Sequence, residues 1–155
     1  MEFVRTMAKA TVKMPEDFLM KISKLGNQTD EIIPKVLKAG AEVVEDKVRS
    51  NLQSIIGKGT KEQSRPTGEL LSSLGTSQAR QDKNGEFNVK IGFKEPRSDD
   101  RSPAGSNSNA KLAAILEYGK HGQPPKPFMK PAKSASKKAC QNAMIQKLED
   151  EVSKL

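Results

Sequence analysis

The chain has no tryptophan, one tyrosine, one histidine and one cysteine in 155 residues, and aromatic side chains make up 4% of it. A single cysteine, Cys140, excludes an intrachain disulfide and points to a chain made and used in a cytosol. One histidine, His121, and one distant cysteine fall short of the four spaced ligands of a zinc site, so neither a metal nor a cofactor is expected. Catalysis by a Cys–His pair is not expected either, because Cys140 falls in the last helical pattern, where small side chains pack. Aromatic platforms interleaved with basic residues, the usual means of gripping nucleic acid, are missing: Tyr118 is the only tyrosine and most phenylalanines stand at core-pattern positions. No apolar run approaches the ~20 residues that span a bilayer, so no membrane partner is expected. Residues Met1–Ala10 lack the apolar centre of a secretory peptide.

Apolar residues amount to 34% of the chain, and the mean hydropathy is -0.67. That is lean, because ordering the backbone costs roughly 1–2 kcal/mol per residue and burial must offset it. Long polar loops around a small core, or a subunit that completes its burial against partners, both fit. At this length one domain, 1–155, is expected. The formal net charge of +8 favours polyanions or acidic protein surfaces. The lysines are spread along the chain, with only Lys130, Lys133, Lys137 and Lys138 locally dense. A solvated basic surface accounts for them. The alternative is a small basic nucleic-acid-binding protein that sets Lys130–Lys138 and the Lys58–Arg65 loop on phosphates.

Residues 1–8 read as a loose start, Ala10–Met14 as a short strand, and Pro15 as the opening of a helical turn carrying Phe18, Leu19, Ile22 and Leu25. Ile33, Leu37, Ala41, Val44, Val48, Leu52 and Ile55 then fall at helical spacing. They predict one long amphipathic helix, capped by Thr29 or Asp30, with Pro34 in its first turn and Gly57 at its end. Thr67-Gly68 leads into a short helix with Leu70, Leu71 and Leu74. Phe87, Val89, Ile91 and Phe93 alternate with Asn88, Lys90 and Gly92, the pattern of a half-buried strand. Asn84-Gly85 suits a hairpin turn to a partner strand over Thr76–Gln81. Glu95–Asn109 is rich in turn formers and reads as a flexible loop. Ala110–Tyr118 reads as a helix with Leu112, Ile115 and Leu116 inward. Pro131–Leu155 reads as a terminal helix with a thin stripe of Ala135, Ala139, Met144, Leu148, Val152 and Leu155. These elements predict an α+β fold: a small, mostly antiparallel sheet packed by one long amphipathic helix and a C-terminal helix.

Asp99-Asp100 and Glu149–Glu151 are acidic pairs in a polar loop and on a solvated helix end, not carboxylates held in a pocket. Gly57-Lys58-Gly59-Thr60 lacks the full phosphate-loop frame and follows a helix instead of a strand. Pro124-x-x-Pro127 precedes Phe128, and reads as a stiff loop that presents an anchor to the core. The chain is therefore not expected to be an enzyme.

The most informative stretch is Leu116–Ala132, LEYGKHGQPPKPFMKPA. A helix closes on Tyr118-Gly119, a proline-locked loop follows, and Pro127-Phe128-Met129-Lys130-Pro131-Ala132 leads into the last helix. Together with Thr67-Gly68-Glu69-Leu70-Leu71-Ser72-Ser73, the long first helix and the hairpin, this order resembles the tail-completion (neck, head–tail joining) proteins of long-tailed phages, of the lambdoid HK97 type. The resemblance spans Asp30 to Met144, and departs from the family where Lys120 stands in place of a Thr or Ser. It implies a structural virion protein of a phage or prophage, made in the bacterial cytoplasm and placed in the tail or neck. Its implied partners are copies of itself in a ring, commonly six-fold, the tail tube or tail terminator, and the head connector. DNA would pass through the ring without sequence-specific binding. A scaffold or minor capsid role is a further expectation that the sequence separates poorly from this one. Thr67, Gly68, Leu70, Tyr118, Gly119, Pro127, Phe128 and Pro131 carry the family motifs and are expected to hold the fold. Arg97, Asp99, Asp100, Arg101, Lys120 and His121, in the 95–109 and 119–126 loops, are expected to face partners.

Overall fold

The apolar stripe of the first long helix dictates the architecture, since a face that long must be covered on both flanks. In a computed structural model, which describes residues 3–6, 9–13, 15, 16, 19, 26–56, 68–94 and 108–154, this helix, α1, runs over Thr29–Ile55. Its 27 residues make a rod of about 40 Å. Ile33, Leu37, Ala41, Val44, Val48 and Leu52 are buried as the spacing predicts, with Ile32, Val36 and Gly40 added on one side. Ile55 is only partly buried. The cap differs from expectation. Gln28 holds the cap position at the end of a 3-10 turn, Gly26–Gln28, and the Thr29 hydroxyl donates back to the Gly26 carbonyl (2.8 Å). Pro34 consequently stands one or two residues deeper than predicted, as the sixth residue of the helix. Gly57 lies outside the described residues.

Among the described residues, five strands form an antiparallel sheet: β1 (Phe3–Thr6), β2 (Lys9–Lys13), β3 (Leu74–Thr76), β4 (Arg80–Gln81) and β5 (Phe87–Phe93), in the order β1-β2-β5-β3, with β4 also on β5. β2 is the strand expected near Ala10–Met14. β1 corrects the loose start expected for residues 1–8, because pairing with β2 gives its backbone a hydrogen-bonded ladder. The partner of β5 starts two residues earlier than predicted and is broken in two. Thr76 faces Ile91 and Arg80 faces Asn88, so residues 77–79 stand opposite only Val89 and Lys90. This is a one-residue bulge. The Ser77 hydroxyl accepts from the Lys90 N–H (2.9 Å) and takes a ladder position there. Leu74, assigned by spacing to the short helix, instead begins β3, and that helix, α2, covers Glu69–Ser73. At the tip, the Asp82 side chain accepts from the N–H groups of Asn84 (2.8 Å) and Glu86 (3.0 Å).

Two further helices complete the described chain: α3 (Asn109–Tyr118) and α4 (Met129–Ser153). α4 lies antiparallel on α1, with Asn51 donating to the Phe128 carbonyl (3.2 Å) at one end and Lys35 bonded to Glu151 (3.4 Å) at the other. Its buried face is Met129, Ala132, Ser136, Cys140, Met144, Leu148 and Glu151. The predicted stripe was right at Met144 and Leu148. Ala135, Ala139 and Val152 point to solvent instead. The first half of the helix buries the small residues Ala132 and Ser136, and the two helices approach closely at its middle. A Cβ built on Gly40 would stand 2.6 Å from the Met144 side chain and 3.0 Å from Cys140 Sγ. In α3 the predicted inward residues Leu112, Ile115 and Leu116 are half-buried, while Asn109, Ala113 and Glu117 are the buried ones.

The core joins the α1 stripe to Val89 and Ile91 of β5, Leu74 of β3 and the inner face of α4. Phe128 is fully buried and meets the Phe93 ring edge-on at 6.2 Å. Polar residues of α1 fix the sheet edge. Arg49 donates to the carbonyls of Leu71 (3.2 Å) and Leu74 (3.4 Å) and bonds Glu45 (2.7 Å), which accepts from the Thr76 hydroxyl. The α+β class and the placing of the two long helices against a small antiparallel sheet agree with the sequence reading.

Candidate assembly surface

Glu117 organises the stretch that the sequence marks out. It lies in the last turn of α3 with 6% of its surface exposed. Its Oε2 accepts from the N–H groups of Phe128 and Met129, both at 2.8 Å, and its Oε1 accepts from the N–H of Lys130 at 3.0 Å. A helix begins with four N–H groups that have no partner within it. In α4 those belong to residues 128–131. Glu117 satisfies three of them, and Pro131 has none to satisfy. The first bond within the helix then runs from Ala132 N–H to the Phe128 carbonyl. The carboxylate also faces the positive end of the helix dipole, which strengthens each bond. No local side chain caps α4, so the cap arrives from the preceding helix across the loop.

The loop between is a closed hairpin. Gly119 ends α3 at φ +77°, and a Cβ there would stand 2.8 Å from both the Gln123 carbonyl and the Pro125 nitrogen. Lys120 and Gln123 exchange both backbone hydrogen bonds (3.0 and 2.9 Å), and Lys126 N–H returns to the Leu116 carbonyl (2.7 Å). Lys120 and His121, expected to face partners, lie on its exposed turn. Pro127 is exposed, Phe128 is the buried anchor, and Pro131 occupies the first turn of α4. Tyr118 corrects the sequence reading. Expected to hold the fold, it is 57% exposed, because Glu117 and not Tyr118 faces the α4 start. The result is an aromatic ring displayed beside a rigid, proline-bearing hairpin.

Gly68 is the cap residue of α2 at φ +79°, and Leu70 packs half-buried against the core. Thr67 lies outside the described residues, as do Arg97, Asp99, Asp100 and Arg101. Sequence reasoning missed Glu117 as the clamp, Asn109 and Glu151. Asn109 is fully buried and donates to the Lys94 carbonyl (2.8 Å), which ties the start of α3 to the end of β5. Glu151, 7% exposed, joins α1 to α4 through Lys35 (3.4 Å), with Lys147 (3.2 Å) and Lys154 (3.4 Å) beside it. The hydrogen bond from Lys147, then those from Lys35 and Lys154, hold its carboxyl below the usual carboxylate range, against an opposing effect of burial. Burial pushes the Cys140 thiol up to about 12. Glu117, Asn109 and Glu151 have partners at the α4 start, at Lys94 and at Lys35 that lie in other elements and leave no mark in sequence spacing; only the spacing of Lys147 and Lys154 about Glu151 does.

Among the described residues no three of His, Cys, Asp or Glu cluster to hold a metal ion, and no helix is long and apolar enough to cross a membrane. Neither a curated protein nor a solved structure matches the chain. A family model described as bacteriophage HK97-gp10, tail-component, matches residues 16–119. The match starts before the span of the resemblance and ends at Gly119, so it includes the α3 end but not the hairpin or α4. With two thirds of its length matched, the chain belongs to the HK97-gp10-like family of phage tail components.

Proposed function

We propose that this tail component acts at the head-proximal end of the tail, as a tail-completion or head–tail joining protein. It works by assembly and docking and not by catalysis. The observation that carries the reading is the α3–α4 junction. There Tyr118, Lys120 and His121 stand exposed on a backbone already fixed by Gly119, by the hairpin bonds and by the Glu117 clamp. A contact surface that is ordered before binding loses little further entropy on docking, and exposed tyrosines are frequent anchors of protein interfaces. In this reading copies of the chain close a ring, with six the number the resemblance implies. One side of the ring meets the tail tube or tail terminator, the other meets the head connector, and DNA passes through without being read.

The test is electron microscopy of particles from a parent phage or induced prophage lacking the gene. Filled heads beside unattached tails of normal length are the expected result. Tails of abnormal length would move the role to stopping tail growth, and normal infectious particles would overturn the reading.

A further inference from the structure

The net charge of the chain is concentrated in one part of it. Between Ser108 and Leu148 the sequence carries eight lysines, no arginine and a single acid, Glu117. The structure removes that one acid from the surface, since its carboxylate is spent on three backbone N–H groups inside the α3–α4 junction. The hairpin folds Lys120 and Lys126 back to the start of α4 through the bond from Lys126 N–H to Leu116. Lys130, Lys137 and Lys138 follow along the exposed side of α4. Lys130 and Lys137 lie two helical turns apart on one face, about 10 Å along the rod. None of these five lysines has an ion-pair partner among the described residues.

Stability alone does not account for this placement. The N-terminal end of a helix is its positive end and favours acids, yet the first turn of α4 contains none and four lysines occupy its first ten residues. The residue type separates two classes of partner. Protein interfaces are enriched in arginine and poor in lysine, whereas a lysine ammonium serves as a point charge for phosphate. Because lysine is depleted at protein interfaces and binds phosphate as a point charge, this surface fits a phosphate backbone better than an acidic protein, and the missing arginine forks fit contact without base readout.

We infer that the 120–126 hairpin and the N-terminal half of α4 form a contact surface for the phosphate backbone of duplex DNA, independent of base sequence. This goes beyond the joining role, and it is measured on the isolated protein, so either reading can fail while the other holds. Binding of a labelled random-sequence duplex is followed by fluorescence anisotropy from about 50 to 200 mM salt. Five phosphate contacts predict a slope of log affinity against log salt of about −4 to −5, at about 0.9 per contact, unchanged with a second sequence. The triple variant Lys130→Glu, Lys137→Glu, Lys138→Glu should lose at least about tenfold in affinity and about 2–3 in slope. The corresponding Lys→Gln triple should show the same loss of slope. A control with Lys38→Glu, Lys47→Glu and Lys83→Glu has the same net charge and alters exposed lysines elsewhere. It should retain the wild-type slope. No binding at the lowest salt, an equal loss in the control triple, or tighter binding to polyglutamate than to duplex would each overturn the inference.

Discussion

A carboxylate that accepts three backbone N–H groups is worth more than its single side chain suggests, because its loss leaves several donors without partners at once. Phe128 and Met129 are both buried, so water cannot readily replace Glu117 there. Glu117→Ala should destabilise the protein by about 3 kcal/mol or more, since each buried donor left unsatisfied costs roughly 1–3 kcal/mol. Glu117→Gln should cost less, about 2 kcal/mol, because one amide oxygen still accepts while the amide N–H₂ group meets donors. Urea denaturation reads both, and unchanged midpoints would show that the N-terminus of α4 does not need this clamp. Cys140 gives a second prediction at this scale. A thiol raised to about 12 by burial is almost wholly protonated at neutral pH, and only the thiolate reacts. Alkylation of the folded protein should therefore be slow and should follow unfolding. Rapid labelling under native conditions would place Cys140 at an open surface.

Between elements, the contact of α1 with α4 decides how the helical layer is built. Gly40 lets Met144 and Cys140 approach the α1 backbone, and the same face of α4 buries Ala132 and Ser136 while Ala135 and Ala139 face outward. The far end of the same contact is ionic. Glu151 has a lower pKa in the folded protein than in the unfolded chain, so its contribution is fully present above the unfolded value and is lost as pH falls through the folded one. Below the usual carboxylate range, wild-type protein and Glu151→Gln should converge in stability, with wild type the more stable at neutral pH. Thermal melts over an acid series measure this. A stability gap that stays constant into strong acid would separate the Lys35–Glu151 contact from stability. Added salt should narrow the gap at neutral pH, because Lys35 and Lys154 are largely exposed.

For the whole molecule, the proposed partner-facing surface and the core that holds the fold are separate, and one substitution can tell them apart. Tyr118 is half out of the protein at the end of α3. Tyr118→Ala should leave folding stability within about 0.5 kcal/mol, as surface changes usually do. In a phage lacking the wild-type gene it should fail to restore head–tail joining. An anchor of about 2 kcal/mol or more corresponds to roughly thirtyfold in affinity, enough to leave heads and tails apart. Full complementation by the variant would move the docking surface elsewhere.

What the sequence determined by itself was whatever depends on local pattern. The Ile33–Leu52 spacing fixes the buried face of α1, the alternation from Phe87 to Phe93 fixes which side of β5 is inward, and glycine is required at 119 by the backbone turn. The family was legible for the same reason, since the motifs that carry the resemblance are short runs of neighbours. Tertiary structure decided everything that depends on a partner distant in sequence. It split the β5 partner at the 77–79 bulge, brought Cys140 and Met144 of α4 close to Gly40, and gave residues 3–6 a strand to pair with. It also exchanged the roles of Glu117 and Tyr118, neighbours in sequence. The motif reading sets Tyr118 in the fold and gives Glu117 no role. Three unpaired N–H groups at the start of α4 reverse that assignment, because a buried charge that satisfies them costs less than leaving them unpaired.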